Sequence, residues 1–86
     1  MRKVYKYEIG ITDQQLLVLP LGAKILTVAL QERVPCLWVE VDSKEQGQES
    51  VHIYTHGTGH VLNPSATEYI GTYFLENGLV FHVYTK

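Results

Sequence analysis

The chain has 86 residues, of which seven are basic and nine acidic, for a net charge of −2 at pH 7. This length gives room for one small domain, residues 1–86, and excludes a multi-domain enzyme. The charge balance gives no support for binding duplex nucleic acid, whose affinity comes largely from Lys and Arg on phosphates. Val, Ile, Thr, Phe, Tyr and Trp together number 31, against three Ala, and this bias predicts pleated structure.

No apolar run reaches the roughly 18–20 residues that a membrane-spanning helix needs. The first residues alternate charge with tyrosine and do not form the apolar core of a signal peptide. The single cysteine, Cys36, cannot form an internal disulfide, which is typical of a reducing cytosol. We therefore expect a soluble protein with no membrane partner, in which Cys36 packs as a small hydrophobic residue.

Four segments of the N-terminal half are interpreted as strands. They are Lys3–Ile9, Gln14–Pro20, Lys24–Glu32 and Cys36–Asp42. The second segment also fits a short helical turn, but a helix of about six residues is seldom stable, so we predict a strand there. A turn at Leu21–Lys24 and a break at Arg33–Pro35 separate these strands.

Period-two alternation predicts which side chains face the core. In the first strand Tyr5, Tyr7 and Ile9 share one face. The side chains expected to point inward from the third and fourth strands are Leu26, Val28, Leu30, Leu37, Val39 and Val41. Trp38 then lies on the outward face with Glu40.

The C-terminal half adds three strands, Val51–His56, Glu68–Glu76 and Leu79–Tyr84. The polar window Ser43–Glu49 predicts a solvated hairpin tip, and Asn77-Gly78 predicts a two-residue hairpin turn. Residues 57–67 form the longest stretch without periodicity, and loops near that length are often functional. The sum of about seven strands predicts an all-β fold, a compact antiparallel β-sandwich or barrel. Because so small a domain gains from association, we expect a homo-oligomer.

Three histidines, His52, His56 and His60, recur every four residues. On a helix this spacing would suit Zn²⁺, but the residues between them are poor helix formers. On a strand His52 and His56 lie about 13 Å apart, at about 3.3 Å per residue, too far for one metal unless the chain bends. His82 and Glu40 are further candidates, and a metal site stays an alternative to solvent-facing sheet histidines. We predict no metal and no other cofactor.

The loop His-Gly-Thr-Gly-His at His56–His60 offers a second kind of site. Gly57, Thr58 and Gly59 can present consecutive backbone N–H groups to an anion, with the Thr hydroxyl and the imidazoles as further donors. The alternative is a tight turn at the end of a strand. No helix follows, so the sequence contains neither a dinucleotide fingerprint nor a phosphate loop.

The outward strand faces combine aromatic rings with imidazoles. They carry Trp38, His52, Tyr54, His56, His82 and Tyr84. Such a surface suits stacking on a base or docking on a protein, and the alternative is burial within a sandwich or dimer. The segment from Glu45 to Thr85 contains no Lys or Arg. A bound phosphate would therefore need N-terminal cations such as Lys3 and Lys6, including those of a neighbouring subunit.

The sequence contains no recognisable catalytic constellation. Ser43, Ser50 and Ser65 lie in polar connections without a nucleophile elbow. Glu40 and Asp42 share a strand face, and nothing desolvates either carboxylate. We therefore expect that the protein is not an enzyme.

Several motifs follow one another along the chain. They are Val4-Tyr-Lys-Tyr7, Leu19-Pro-Leu-Gly-Ala-Lys-Ile-Leu26, Val34-Pro-Cys-Leu-Trp38 with Val41-Asp42, Gly57-Thr-Gly-His60, Tyr69-Ile-Gly-Thr72 and Val80-Phe-His-Val83. In their order and spacing the chain resembles, nearly end to end, an uncharacterised family of small bacteriophage and prophage proteins, with His56 a departure from its pattern. The resemblance implies a phage-encoded accessory protein in the bacterial host cytoplasm, and it implies no catalytic residues.

Small phage accessory proteins commonly act by stoichiometric binding, and we consider two functions of this kind. The first is sequestration of a small nucleotide-type immune signal at a subunit interface. The candidate ligand-binding residues are Lys3, Lys6, Trp38, His52, Tyr54, His56, Gly57, Thr58, Gly59, His60 and His82. The second is a protein–protein interaction module that inhibits a host defence protein or forms part of a phage particle. The first is favoured slightly, because the Gly-Thr-Gly-His loop is the more specific feature.

Overall fold

The computed structural model describes residues 1–86 and contains seven antiparallel strands and no helix. The strands are β1 (Arg2–Glu8), β2 (Gln14–Pro20), β3 (Lys24–Gln31), β4 (Val34–Asp42), β5 (Gln48–Gly57), β6 (Glu68–Phe74) and β7 (Val80–Thr85). The all-β prediction is confirmed, including the strand at the ambiguous segment Gln14–Pro20. No segment forms a helix with the length and apolar character needed to cross a membrane.

The strands form two sheets that pack against each other. Sheet A has the order β1-β4-β3, and sheet B has the order β2-β5-β7-β6. On one side of the molecule the sheets meet where β3 contacts β6. On the other side β1 and β2 are both open edges. The fold is therefore a sandwich and not the closed barrel that was the alternative.

Apolar side chains from both sheets fill the space between them. The buried cluster consists of Ile9, Leu19, Val28, Leu37, Val39, Val41, Ile53, Tyr73 and Val83. The predicted inward orientation of Leu37, Val39 and Val41 is confirmed, and all three are buried. Full burial of an aliphatic side chain of this size contributes about 1.5–3 kcal/mol. Trp38, between two of these core residues, faces away from the core as predicted.

The prediction that Leu26 faces the core is wrong. A β-bulge between Ile25 and Thr27 shifts the register of β3 against β4. A bulge places two residues opposite one, so the alternation of side chains restarts after it. Ile25 consequently packs against the core, whereas Leu26 is 42% exposed. Val28, beyond the bulge, keeps its predicted inward position.

The reversal between β3 and β4 lies earlier than the predicted break at Arg33–Pro35. The chain turns at Glu32 and Arg33, which have φ of 50° and 70°, and Gln31 pairs with Val34 across the turn. A two-residue hairpin turn of type I′ requires positive φ at both central residues, because only that twist matches the strands. Pro35 does not interrupt β4, since it lies next to the first residue of the strand, where proline is tolerated.

Strand β5 begins earlier than the periodicity predicts. Gln48 and Glu49 lie in the window predicted as a solvated tip, yet they pair with Pro20 and Leu19 of β2. The hairpin tip is therefore shortened to residues 43–47, because pairing with a neighbouring strand outweighs the polar composition.

The β6–β7 hairpin has a three-residue loop instead of the predicted two-residue turn. The N–H of Leu75 donates to the carbonyl of Leu79 (2.9 Å), and the N–H of Gly78 donates to the carbonyl of Leu75 (3.1 Å). Gly78 has φ of 89°, the left-handed position that follows a type I turn in such loops. Asn77-Gly78 thus marks the hairpin correctly, but Gly78 occupies the bulge position and the register changes by one residue.

Candidate functional site

The outward histidines and tyrosines of β5 and β7 lie side by side on the outer face of sheet B. Across these two strands Tyr54 lies opposite Tyr84, and His56 lies opposite His82. Directly opposite residues of an antiparallel pair point to the same face. The structure therefore brings together the imidazoles and phenols that alternation had placed on outward faces.

The rings on this face pack against one another. His52 and Tyr54 stack with centroids 6.0 Å apart and 12° between their planes. Tyr84 meets His56 edge to face at 5.8 Å and Tyr69 at 5.4 Å. Aromatic pairs in such geometries contribute about 0.5–1.5 kcal/mol beyond their buried area. Tyr54 is only 3% exposed, so part of this face is a packed layer and not a free stacking surface.

His82 lies at the centre of a polar network that joins β6, β7 and the loop after β5. Its Nδ1 is 3.0 Å from Oγ1 of Thr72, and its Nε2 is 2.8 Å from Oγ1 of Thr58. The Thr72 hydroxyl is also bonded to the hydroxyl of Tyr69, at 2.5 Å. Because both ring nitrogens are occupied, His82 holds the loop in place and is not free to contact a ligand in this arrangement.

His56 anchors the middle of residues 58–67, which fold over the face. The backbone N–H of Asn63 donates to Nε2 of His56 (3.0 Å), which places the proton of the neutral ring on Nδ1. His56 is 8% exposed, and its Nδ1 is buried without a hydrogen-bond partner. A buried donor left unpaired costs about 1–3 kcal/mol, so the buried position of His56 carries an energetic cost.

The Gly-Thr-Gly-His segment forms a tight turn at the end of β5. The N–H of His60 donates to the carbonyl of Gly57 (3.1 Å), and Gly59 has φ of 88°. The imidazole of His60 lies over Gly57, where a β-carbon would stand 3.1 Å from its Cε1. The backbone N–H of His60 is therefore used within the turn. Anion binding by the remaining amides stays a prediction.

The turn stands between two surface clefts. The first, the Asp13 cleft, has a volume of about 290 Å³ and is lined by Asp13, Gln14, Thr55, His56, His60, Val61, Leu62 and Asn63. The second, the Leu79 cleft, has a volume of about 380 Å³ and is lined by Gly57, Thr58, His60, Gly78, Leu79, Val80 and Phe81. His60 lines both clefts, it is exposed, and its ring makes no hydrogen bond within the protein. It is the histidine most accessible to a ligand.

Three of the predicted ligand-binding residues lie in sheet A, away from the histidine and tyrosine face of sheet B. Trp38 and Lys6 are cross-strand partners on the outer face of sheet A, on the opposite side of the sandwich from the histidines. Lys3 also belongs to β1, at the open edge of sheet A. Within one chain these residues do not join the histidines, because alternation assigns a residue to a face but not to a sheet.

The fixed charges of the molecule are distributed unevenly between the two outer faces. On sheet A, Arg2 pairs with Glu40 (2.6 Å), and Lys6 donates to the side-chain oxygen of Gln31 (2.6 Å). The hydrogen bond from Arg2 holds the pKa of Glu40 below its ordinary value of 4.5. Strands β2, β5, β6 and β7 contain no Lys or Arg. These strands therefore give the histidine and tyrosine face no permanent cation, and the basic residues next to them are Lys86, which follows β7, and Arg33, which contacts Glu76 of the β6–β7 loop.

The structure gathers no group of three or more His, Cys, Asp or Glu side chains that could hold a metal ion. His52 and His56 do share a face, but His56 is tied to the loop. Cys36 is buried, as expected for a small hydrophobic residue, and its Sγ donates to the carbonyl of Val34 (3.4 Å).

Sequence reasoning missed three polar residues of the site: Gln14, Asn63 and Thr72. Gln14 is bonded through its amide nitrogen to Nδ1 of His52 (3.1 Å). Asn63 lies in a loop without periodicity, so no pattern marks it. Thr72 lies opposite His82 in the β6–β7 ladder. The correct hairpin register would have predicted that Thr72 lies opposite His82. The two-residue turn predicted from the sequence instead pairs Thr72 with Val83.

The fold and the site together define a small, seven-stranded β-sandwich with a face rich in histidine and tyrosine and a loop folded over it. The chain belongs to the family described as Domain of unknown function (DUF7352), which matches it over residues 1–86. Comparison with curated proteins and with solved structures gave no match.

Proposed function

We propose that the protein is a phage-encoded, non-enzymatic accessory protein that acts in the bacterial host cytoplasm by stoichiometric binding, and that it sequesters a small nucleotide-type immune signal. The observation that carries the proposal is the position of His60, exposed between the Asp13 and Leu79 clefts at one end of the aromatic face. The clefts beside His60 are also lined by the rings of His56 and Phe81, and an imidazole next to such rings suits a ligand that combines an anionic group with a flat base. The phage origin and the cellular location rest on the motif resemblance.

The charge distribution supports binding at a subunit interface. A phosphate group is held best by Arg or Lys, and the outer strands around His60 contain neither. Within the chain, Arg33 contacts Glu76 of the β6–β7 loop and Lys86 follows β7, but neither lines the two clefts beside His60. A second copy of the chain is a further source of such charge, through the basic residues of β1 and the start of β3. We therefore include a homo-oligomer in the proposal.

Calorimetric titration with a panel of cyclic and linear nucleotides tests the proposal, together with mass spectrometry of any nucleotide released from the purified protein. We expect one class of nucleotide to bind and to be recovered chemically unchanged. His60→Ala should weaken binding by about 10- to 100-fold, because hydrogen bonds to charged groups contribute about 1.5–3 kcal/mol. Trp38→Phe, on the other sheet, is the matched aromatic control.

Two results would contradict this function. One is the absence of heat with every nucleotide combined with the absence of a co-purifying ligand. The other is a larger loss of affinity in Trp38→Phe than in His60→Ala, which would move the binding surface to sheet A.

A second candidate is docking on a host or phage protein, and the exposed rings of β6 favour it. Tyr69 and Phe74 are 59% and 67% exposed, and both face outward on sheet B. Large exposed rings are typical anchors of protein interfaces. In this case Phe74→Ser should abolish capture of a partner from infected cells, whereas Val4→Ser, at a site 53% exposed on sheet A, should leave capture unchanged.

A further inference from the structure

Strand β2 is an open edge whose only protection against pairing is a proline, Pro20, at its end. It pairs with β5 on one side and with no strand on the other. Its seven residues include no charged side chain, and Leu16 and Val18 are 61% and 54% exposed. The other open edge, β1, contains four charged residues, which is how natural proteins block unwanted strand addition. The two edges therefore differ in their capacity to bind a further strand.

The hydrogen bonds between β2 and β5 show which backbone groups of β2 face the open side. The N–H of Thr55 donates to the carbonyl of Asp13 (3.1 Å), and the N–H of Leu21 donates to the carbonyl of Gly47 (2.9 Å). Both pairs continue the register of the two strands. Alternate residues of an antiparallel strand bond to the same neighbour. The odd-numbered residues of β2 therefore bond to β5, and the even-numbered residues direct their N–H and C=O groups outward.

We propose that two copies of the chain pair antiparallel through β2, about a two-fold axis at Leu17. In this register Leu16 of each copy lies opposite Val18 of the other, and Gln14 lies opposite Pro20. Leu16 and Val18 both have outward backbone groups, so each of the two Leu16–Val18 pairs exchanges two hydrogen bonds. Their exposed side chains then form one apolar cluster on the outer face. The contact uses the same surface on both copies, as a two-fold interface requires.

The proposed pairing places no like charges opposite each other. Asp13 of each copy lies opposite Leu21 of the other, where the turn to β3 begins. The only charged residue in the segment Leu21–Lys24 is Lys24 itself. Lys24 begins β3 and lies opposite Glu40 in sheet A. The pairing therefore opposes no like charges, either within the strands or where Asp13 meets the turn.

The dimer has a consequence for the ligand that rests on the proposed function. Asp13 and Gln14 line the Asp13 cleft, so the Leu21–Lys24 turn of the second copy adds a wall to that cleft. Lys24 at the end of this turn begins β3 and lies opposite Glu40 in sheet A, so the second copy contributes shape to the cleft and not a fixed charge.

Proline substitution at the two open edges tests the dimer by sedimentation analysis of the full chain without nucleotide. Val18→Pro removes only an outward N–H and leaves the β2–β5 ladder intact. We expect self-association to weaken by about 10- to 100-fold, since two hydrogen bonds across the axis are lost. Val4→Pro is the matched control on β1. The N–H of Ile9 donates to the carbonyl of Pro35, and the N–H of Ser43 donates to the carbonyl of Met1. The odd-numbered residues of β1 therefore bond to β4, and the N–H of Val4 faces outward.

Charge pairs test the register of the dimer. Leu16→Lys with Val18→Glu should keep the dimer, because the ammonium introduced in each copy then faces the carboxylate introduced in the other. Leu16→Lys with Val18→Lys should dissociate it through opposed like charges. A monomeric wild-type chain, equal effects of the two proline variants, or equal association of the two charge variants would overturn the proposal. A confirmed dimer that binds no nucleotide would overturn the proposed function alone.

Discussion

Gly71 of β6 and Val28 of β3 are in contact where the two sheets meet. A β-carbon at Gly71 would stand 2.9 Å from Cγ1 of Val28, closer than side-chain carbons pack. Val28 is 5% exposed, and its branched side chain is confined to few rotamers. The sandwich closes at this side because position 71 has no side chain.

Gly71→Ala should therefore destabilise the protein by about 1–3 kcal/mol, the usual cost of overpacking a core. Chemical denaturation measures the free energy of unfolding. Gly10→Ala is the control, since a β-carbon there has only ordinary contacts, the nearest being Cγ2 of Thr12 at 3.7 Å. Adding Val28→Ala should cost less in the Gly71→Ala background than in the wild type. Strictly additive effects would contradict the close approach of the two sheets.

The β3–β4 turn should be improved by residues that accept positive φ. Glu32 and Arg33 occupy the left-handed region, where residues with a β-carbon cost about 1–2 kcal/mol each. Replacement by Asn and Gly, the preferred type I′ pair, should raise the free energy of unfolding by about 1 kcal/mol or more. Arg33 also contacts Glu76 at 3.4 Å on the exposed surface, so Glu76→Gln measures that small contribution separately. A less stable Asn-Gly variant would contradict the type I′ geometry.

Two buried threonines of sheet B should respond in opposite directions to replacement by valine. Thr55 has a buried hydroxyl without a partner, whereas the hydroxyl of Thr85 donates to the carbonyl of His52 (2.9 Å). Removing an unpaired buried hydroxyl is neutral or stabilising, and removing a paired one costs about 0.5–1.5 kcal/mol. Thermal unfolding of Thr55→Val and Thr85→Val compares the two. A larger loss in Thr55→Val would show that its hydroxyl has a partner in solution.

Tyr73 should reduce the stability of the protein in alkali. Burial raises the pKa of its phenol above the ordinary value of 10.0, and the hydroxyl has no partner. The unfolded chain therefore releases the phenolic proton at a lower pH than the folded chain. Above about pH 10 this favours unfolding, and below it the contribution is constant. In denaturation from pH 8 to pH 11, Tyr73→Phe should lose less stability than the wild type. An equal loss of stability in Tyr73→Phe and in the wild type over this pH range would contradict the prediction.

Local pattern predicted most of the fold because alternation reflects which face of a strand is buried. Leu37, Val39 and Val41 follow it, since β4 is regular and lies between two neighbours. Leu26 does not follow it, because the bulge in β3 changes the phase of the side chains. The ends of β5 and the length of the β6–β7 loop were also not predicted, because they depend on which residues pair between neighbouring strands.

The candidate site was predicted in part for the same reason. Tyr54, His56 and His82 were assigned to outward faces, and the structure joins them on sheet B. Trp38 was assigned to the same kind of face but belongs to the other sheet. Asn63 was missed because its contact with His56 depends on the path of a loop that has no repeating pattern.

The amino-acid sequence by itself determined the strands, most of their inward and outward faces, and the absence of fixed positive charge among the C-terminal strands. These properties are local: they depend on residue type and on period-two spacing along one segment. Tertiary structure alone decided the order of strands, the register of the hairpins, the folding of residues 58–67 over His56, and the open edge at β2. Each of these depends on contacts between residues far apart in the chain, which spacing along one strand does not encode.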